Sequence, residues 1–162
     1  MQRSQIRRMV VDLVKKYQTN DPLELCQDLD IPVNFCDLGE NIMGFRTKIY
    51  GVSSITINSR LNSTEQKITC GHELGHDRCS HDDNADFLQE STLYSRTLYG
   101  TEYEANCFMV ELMFADNNID DYADTDTEEG VLRIAKVPEW AAPYVDWSYV
   151  RRLIVKRACG VK

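Results

Sequence analysis

The sequence predicts an α+β fold: helices at the N-terminus, a small three-stranded sheet, a motif-bearing helix, a carboxylate-bearing helix and further short helices at the C-terminus. Three observations predict it. Apolar residues recur at three- and four-residue steps over 4–17, and residues 44–58 alternate as a hairpin does. Between them and the C-terminal third lies Cys70-Gly71-His72-Glu73-Leu74-Gly75-His76, which holds two of the three histidines in the chain.

From Ser4 to Tyr17 the apolar set Ile6, Met9, Val10, Leu13, Val14 and Tyr17 defines one face of an amphipathic helix whose other face is basic. Asn20-Asp21-Pro22 then reads as a cap with proline at the first helical position, opening a short helix through Leu29. No basic recognition helix follows, so two helices packing on a sheet is the better reading than a helix-turn-helix. Ile31–Asp37 reads as a first strand. Gly44–Tyr50 and Val52–Asn58 read as a hairpin turning near Gly51, and Val52–Asn58 as an edge strand able to hold an extended substrate through Ile55, Thr56 and Ile57. Ser63, with Gln66 three residues on, reads as the capping box of the next helix.

On that helix Ile68, His72, Gly75, His76 and Cys79 share a face. Histidines four apart project one above the other, so both imidazoles can reach one tetrahedral Zn²⁺ at ~2.0–2.1 Å. Glu73 points slightly around the helix, placed to take a proton from a water held by the metal. Gly71 and Gly75, also four apart, allow a neighbouring backbone to come close. Asp82 and Cys79 stand where a third histidine and its turning glycine would be needed, so His81 is not expected as a ligand.

A third ligand is then expected from 102–114, which reads as a helix. Glu102, Ala105, Asn106 and Met109 share one of its faces, with Glu104 as the rival carboxylate beside Phe108. Asn106 is placed to hydrogen-bond a metal ligand from behind. Tyr94, Tyr99, Tyr103 and His81 are candidates to stabilise a developing oxyanion.

The C-terminal third opens with seven acids in 116–129. No register there supplies both the glycine and the final glutamate of a calcium-binding EF-hand, so a solvated linker is expected. Glu128–Val137 and Glu139–Val145 read as short helices broken at Pro138 and Pro143. Trp147–Ala158 reads as a last basic helix with Val150, Leu153 and Ile154 apolar.

A chain of 162 residues suits one domain. Its net charge of −8 divides unevenly: residues 17–146 hold 8 Lys/Arg against 25 Asp/Glu, or −17, between two basic ends. That body repels nucleic acid and favours a basic protein partner. No apolar run suits a membrane span or an export signal, so the chain reads as a soluble cytoplasmic protein. Its six cysteines form no Cys-x-x-Cys pair and read as reduced, with Cys70 and Cys79 packing as small hydrophobes.

Together, His72-Glu73-Leu74-Gly75-His76 and Glu102-Tyr103-Glu104-Ala105-Asn106-Cys107-Phe108-Met109 resemble the paired motifs of the ImmA/IrrE family of zinc metallopeptidases. The likeness covers roughly residues 5–115. It implies a zincin-like catalytic domain over 1–115, with 116–162 a helical extension of the same domain. It further implies His72, His76 and Glu102 as zinc ligands, Glu102 rather than Glu104 because it stands three before Ala105, and Glu73 as catalytic base. The implied activity is an intracellular endopeptidase that cuts a basic helix-turn-helix repressor to relieve repression of phage, mobile-element or stress genes. Two departures stand out: Met109 replaces a small alanine, which would crowd a helix crossing, and polar residues occupy 77–80. A toxin-like protease of a toxin–antitoxin pair and a non-catalytic regulator-docking protein are the alternatives.

Overall fold

A computed structural model of the chain describes residues 1–80, 88–89, 100–115, 122, 125 and 127–158. Helix α1 (Arg3–Tyr17) buries Ile6 and Val10, opens on a capping box made by Gln2 and Gln5, and ends at Gln18 in the left-handed conformation. Asp21 caps α2 (Pro22–Asp28) by accepting from the Leu23 N–H at 2.9 Å, with Pro22 in the first turn as the sequence predicts.

Strands β1 (Val33–Cys36), β2 (Ile42–Ile49) and β3 (Val52–Asn58) are the three expected strands, and a two-residue strand, β4 (Leu88–Gln89), adds to the far side of β2. The order across the sheet is β1-β3-β2-β4, with β1 parallel to β3 and the other pairs antiparallel. The expectation of a free edge at Val52–Asn58 therefore does not hold. β3 lies inside the sheet, where Ile55, Thr56 and Ile57 face β1 partners on one side and β2 partners on the other. Their main-chain groups serve the two ladders, and Ile55 and Ile57 are wholly buried.

Helix α3 (Ser63–Arg78) packs under β2 and β3. Its cap is Asn62 rather than Ser63: the Asn62 carboxamide accepts from Thr64 and Glu65, and Glu65 reaches back to the Asn62 N–H. The box thus lies one residue earlier than its Ser/Gln pattern suggested, because asparagine caps as well as serine. Helix α4 (Gly100–Phe114) runs across α3 and is buried from Ala105 through Val110 without a polar face. It is the central helix, covered by α1 on another side.

Helix α5 (Glu128–Ala135), a 3₁₀ turn (Glu139–Tyr144) and helix α6 (Trp147–Ala158) follow. The expected helix over 139–145 is 3₁₀ in form, consistent with Pro143 inside it. Val131, Leu132, Ala141, Tyr144 and Val150 join the same apolar cluster as Ile6, Leu74 and Phe108. Among the described residues no helix is long and apolar enough to cross a membrane.

Candidate metal centre

Helical spacing places His72 and His76 one turn apart on α3, and the fold brings the first turn of α4 against them. Gly75 makes this possible: a Cβ there would lie 2.9 Å from both the Cα and the carbonyl oxygen of Ala105. Met109, the residue expected to crowd the crossing, is 1 % exposed and sits over Gly71, whose missing side chain leaves it room. The two glycines of α3 thus receive the two residues of α4 that face them.

Glu102 is thereby set beside both histidines. Its Oε2 lies 3.3 Å from His72 Nε2 and its Oε1 3.2 Å from His76 Nε2, while the two Nε2 atoms are 3.0 Å apart. The carboxylate thus straddles the two Nε2 atoms, one oxygen towards each, and one ligand atom from each of the three residues lies within 4.8 Å of the others, close enough to share one ion. His72 is 1 % exposed, and its Nδ1–H donates to Asn106 Oδ1 at 2.9 Å, which leaves the Nε2 lone pair facing the cluster. Two imidazole lone pairs this close repel unless a cation or a proton lies between them. The electrostatics agree. Burial raises the Glu102 carboxyl, but bonds and charge from His72 and His76 outweigh it and hold the group well below its ordinary range. Burial lowers His72, and Glu102 with Glu73 more than reverses that.

Glu73 is 3 % exposed and faces the sheet, where its carboxylate accepts the Arg46 main-chain N–H. Burial pushes it up to about 7, with Glu102 adding to the rise and the charges of His72 and Arg46 opposing it. One turn on, Asp77 accepts from Ser53 Oγ and from Arg78. Burial raises Asp77, but these bonds, with the charges of Arg78 and Arg46, keep it below its usual value. Arg46 and Ser53, both buried, therefore link β2 and β3 to the helix that carries His72 and His76. Sequence reasoning missed Arg46, Ser53 and Asp77. The available signal was alternation: Arg46 pairs across the ladder with Ile55, so it points to the buried face, where a charge needs a partner.

Of the other expected residues, Glu104 turns away from the histidines to the amino group of Met1. Tyr103 packs on Tyr144 and hydrogen-bonds Cys107, on the side of α4 facing Arg3 and Asp146. His81, Tyr94 and Tyr99 lie outside the described residues. Cys70 and Cys79 are buried, as expected of packing residues, and Cys70 Sγ lies 3.6 Å from Cys26 Sγ. Among the described residues His72, His76 and Glu102 are the group able to hold a metal ion.

A family model described as the IrrE N-terminal-like domain, of the peptidase M78 family, matches residues 26–140. A protein of Bacillus phage phi105, named uncharacterized immunity region protein 2, is 37 % identical over 147 residues, covering 90 % of this chain and 92 % of that one. No solved structure matches.

Proposed function

The chain belongs to the peptidase M78, IrrE N-terminal-like family of metallopeptidases, and from that premise we propose that it is a zinc-dependent endopeptidase whose substrate is a basic helix-turn-helix repressor. The observation that carries the reading is the clustering of His72, His76 and Glu102 around one point beside a buried Glu73 carboxylate. A zinc ion held by those three would polarise the scissile carbonyl and ready a water for attack.

The chain's own residues do the rest. Glu73 takes a proton from the attacking water and delivers it to the leaving amine nitrogen. Burial raises this carboxyl above its ordinary range, which makes it a stronger base for the water's proton than an exposed glutamate. The Arg46 N–H fixes the position of the carboxylate, and Asn106 keeps His72 in the tautomer that presents Nε2.

Two observations favour a repressor as substrate. The relative of this chain is named for a phage immunity region. The −17 body between residues 17 and 146 attracts a basic, DNA-binding protein and repels DNA itself. Relief of repression of phage or mobile-element genes in the cytoplasm is the role that follows.

Metal content and repressor cleavage, measured side by side for the wild type and Glu73→Gln, test the reading. Both proteins should carry about one zinc per chain. Only the wild type should cut a basic helix-turn-helix repressor offered as substrate, the variant losing ~10²–10⁴-fold or more. Relief of repression by both proteins without a cut would make the chain a docking protein on a peptidase fold.

A further inference from the structure

Helices α1, α4 and α6 do not close on one another completely. Between them lies a cavity of about 210 Å³. Much of its wall is apolar and buried: Val10 from α1, Val110 from α4, Val150 from α6, and Tyr122 and Val145 from the chain between α4 and α6. A dry apolar cavity of ~150 Å³ admits benzene, so this one suits a single ring with a substituent, about eight non-hydrogen atoms. It is separate from the metal centre: Glu111, on its wall, follows Glu102 on α4 by ~13 Å along the helix axis.

One part of the wall is charged, and its bonding is uneven. Glu111, Arg7 and Asp146 meet there, their side chains only 11, 16 and 22 % exposed. Arg7 donates from Nε and Nη2 to the two Glu111 oxygens, at 2.9 and 2.8 Å, and from Nη2 to Asp146 Oδ2 at 2.8 Å. Asp146 Oδ1 also accepts from the Ser148 hydroxyl and the Tyr149 N–H. A carboxylate offers about four lone-pair sites, so Asp146 keeps about one and Glu111 about two. Two carboxylates against one guanidinium leave this wall with an excess negative charge. An anion seeking the remaining Arg7 N–H groups would meet both acids. The other basic side chains of the two outer helices, among them Arg8, Lys15, Arg151 and Arg152, are exposed, off the cavity wall and screened by solvent.

We propose that this cavity is a binding site for a small apolar amine, its ring among Val10, Val110 and Val150 and its ammonium on Glu111. Size and charge select the occupant together. The volume limits the hydrocarbon part to one ring. The ammonium neutralises the excess charge of the wall and fills the spare Glu111 lone pairs with a charge-assisted hydrogen bond, roughly twice as strong as a neutral one. A neutral molecule of the same shape gains the burial without that bond, and an anion is repelled. The proposal does not depend on the endopeptidase reading, since no group of the metal centre takes part.

Titration of the zinc-loaded full chain with benzylamine, benzyl alcohol and benzoate, followed by NMR of the ligand, tests this. The three share one ring and differ in charge. Benzylamine should bind at about one per chain with a Kd of about 0.1–1 mM. Benzyl alcohol should bind about 5–10-fold more weakly, and benzoate more weakly still. Glu111→Gln should bring benzylamine down to the level of benzyl alcohol and leave the alcohol unchanged. Val150→Phe and Ala115→Leu fill the cavity from two sides, and each should abolish binding of all three ligands. No saturable binding, or benzyl alcohol or benzoate bound as tightly as benzylamine, would overturn the proposal. So would benzylamine binding that survives in a folded filled variant, since the amine would then sit elsewhere, the metal centre included. If one filled variant does not fold, the other decides the location, and the order of the three ligands on the wild type decides the charge.

Discussion

Asn106 is an uncharged side chain hydrogen-bonded to the candidate metal cluster from behind. It is 1 % exposed, and its carboxamide oxygen accepts the Nδ1–H of His72. Replacing it with leucine keeps the volume and removes the acceptor, leaving a buried N–H unsatisfied at a cost of ~1–3 kcal/mol. It also frees His72 to flip or change tautomer. Asn106→Leu should therefore weaken zinc binding ~10–100-fold, measured by competition with a chelator, while the zinc stoichiometry at saturation stays the same. Glu102→Gln probes the other side of the cluster. It removes the negative charge that both imidazoles face, and its zinc affinity should fall further than that of Glu104→Gln, whose carboxylate meets the Met1 amino group instead.

At the scale of elements, the contact between α3 and α4 decides whether three ligands can meet. Gly75 and Gly71 lie on the same helix yet should respond differently to alanine. At Gly75 a methyl group would press on Ala105 main-chain atoms at 2.9 Å, which cannot yield without moving α4. Gly75→Ala should cost ~1–3 kcal/mol, seen as a lower melting temperature, and should weaken zinc binding because Glu102 moves with its helix. At Gly71 the first neighbour is Met109 Cγ at 3.3 Å, a flexible thioether side chain that can give way. Gly71→Ala should be nearly neutral, since alanine's better helix propensity offsets ~0.5–1 kcal/mol of any crowding. Equal effects at the two positions would mean that the helices are not held at the separation described here.

At the scale of the whole molecule, the N- and C-terminal helices are tied across the central one. Arg7 on α1 bonds Glu111 on α4 at 2.8 Å and Asp146, at the start of α6, also at 2.8 Å, with Tyr149 under its guanidinium at 3.7 Å. Burial raises the Asp146 carboxyl, but bonds from Arg7, Ser148 and the Tyr149 N–H outweigh it and hold it well below its ordinary range. A carboxyl depressed in the folded state adds stability that is complete above its unfolded pKa, ~3.9, and is lost as pH falls through the folded value. Asp146→Asn should cost ~1 kcal/mol at neutral pH, a modest figure because water reaches the pair. The gap to the wild type should close as pH drops below about 4. A gap that persists in acid would assign the effect to packing rather than to charge.

The sequence by itself determined what depends on neighbours along the chain. Helical periodicity fixed the faces of α1 and α3, the Asp21-Pro22 pair fixed the start of α2, and the four-residue step put His72 and His76 over one point, because an α-helix has one geometry wherever it occurs. The glycine spacing on α3 foretold a close partner, although periodicity could not say that Ala105 and Met109 would fill the two gaps. Only the tertiary structure decided what depends on residues far apart in the chain. It set Glu102 rather than Glu104 beside the histidines, and it brought Arg46 and Ser53 to the carboxylates of α3. It also enclosed β3 between β1 and β2, although an alternating strand looks the same at an edge as in the middle of a sheet. The physical reason is common to all three. A local pattern fixes which way a side chain points, whereas strand order and helix crossing fix what it meets, and those are chosen by the packing of the whole core.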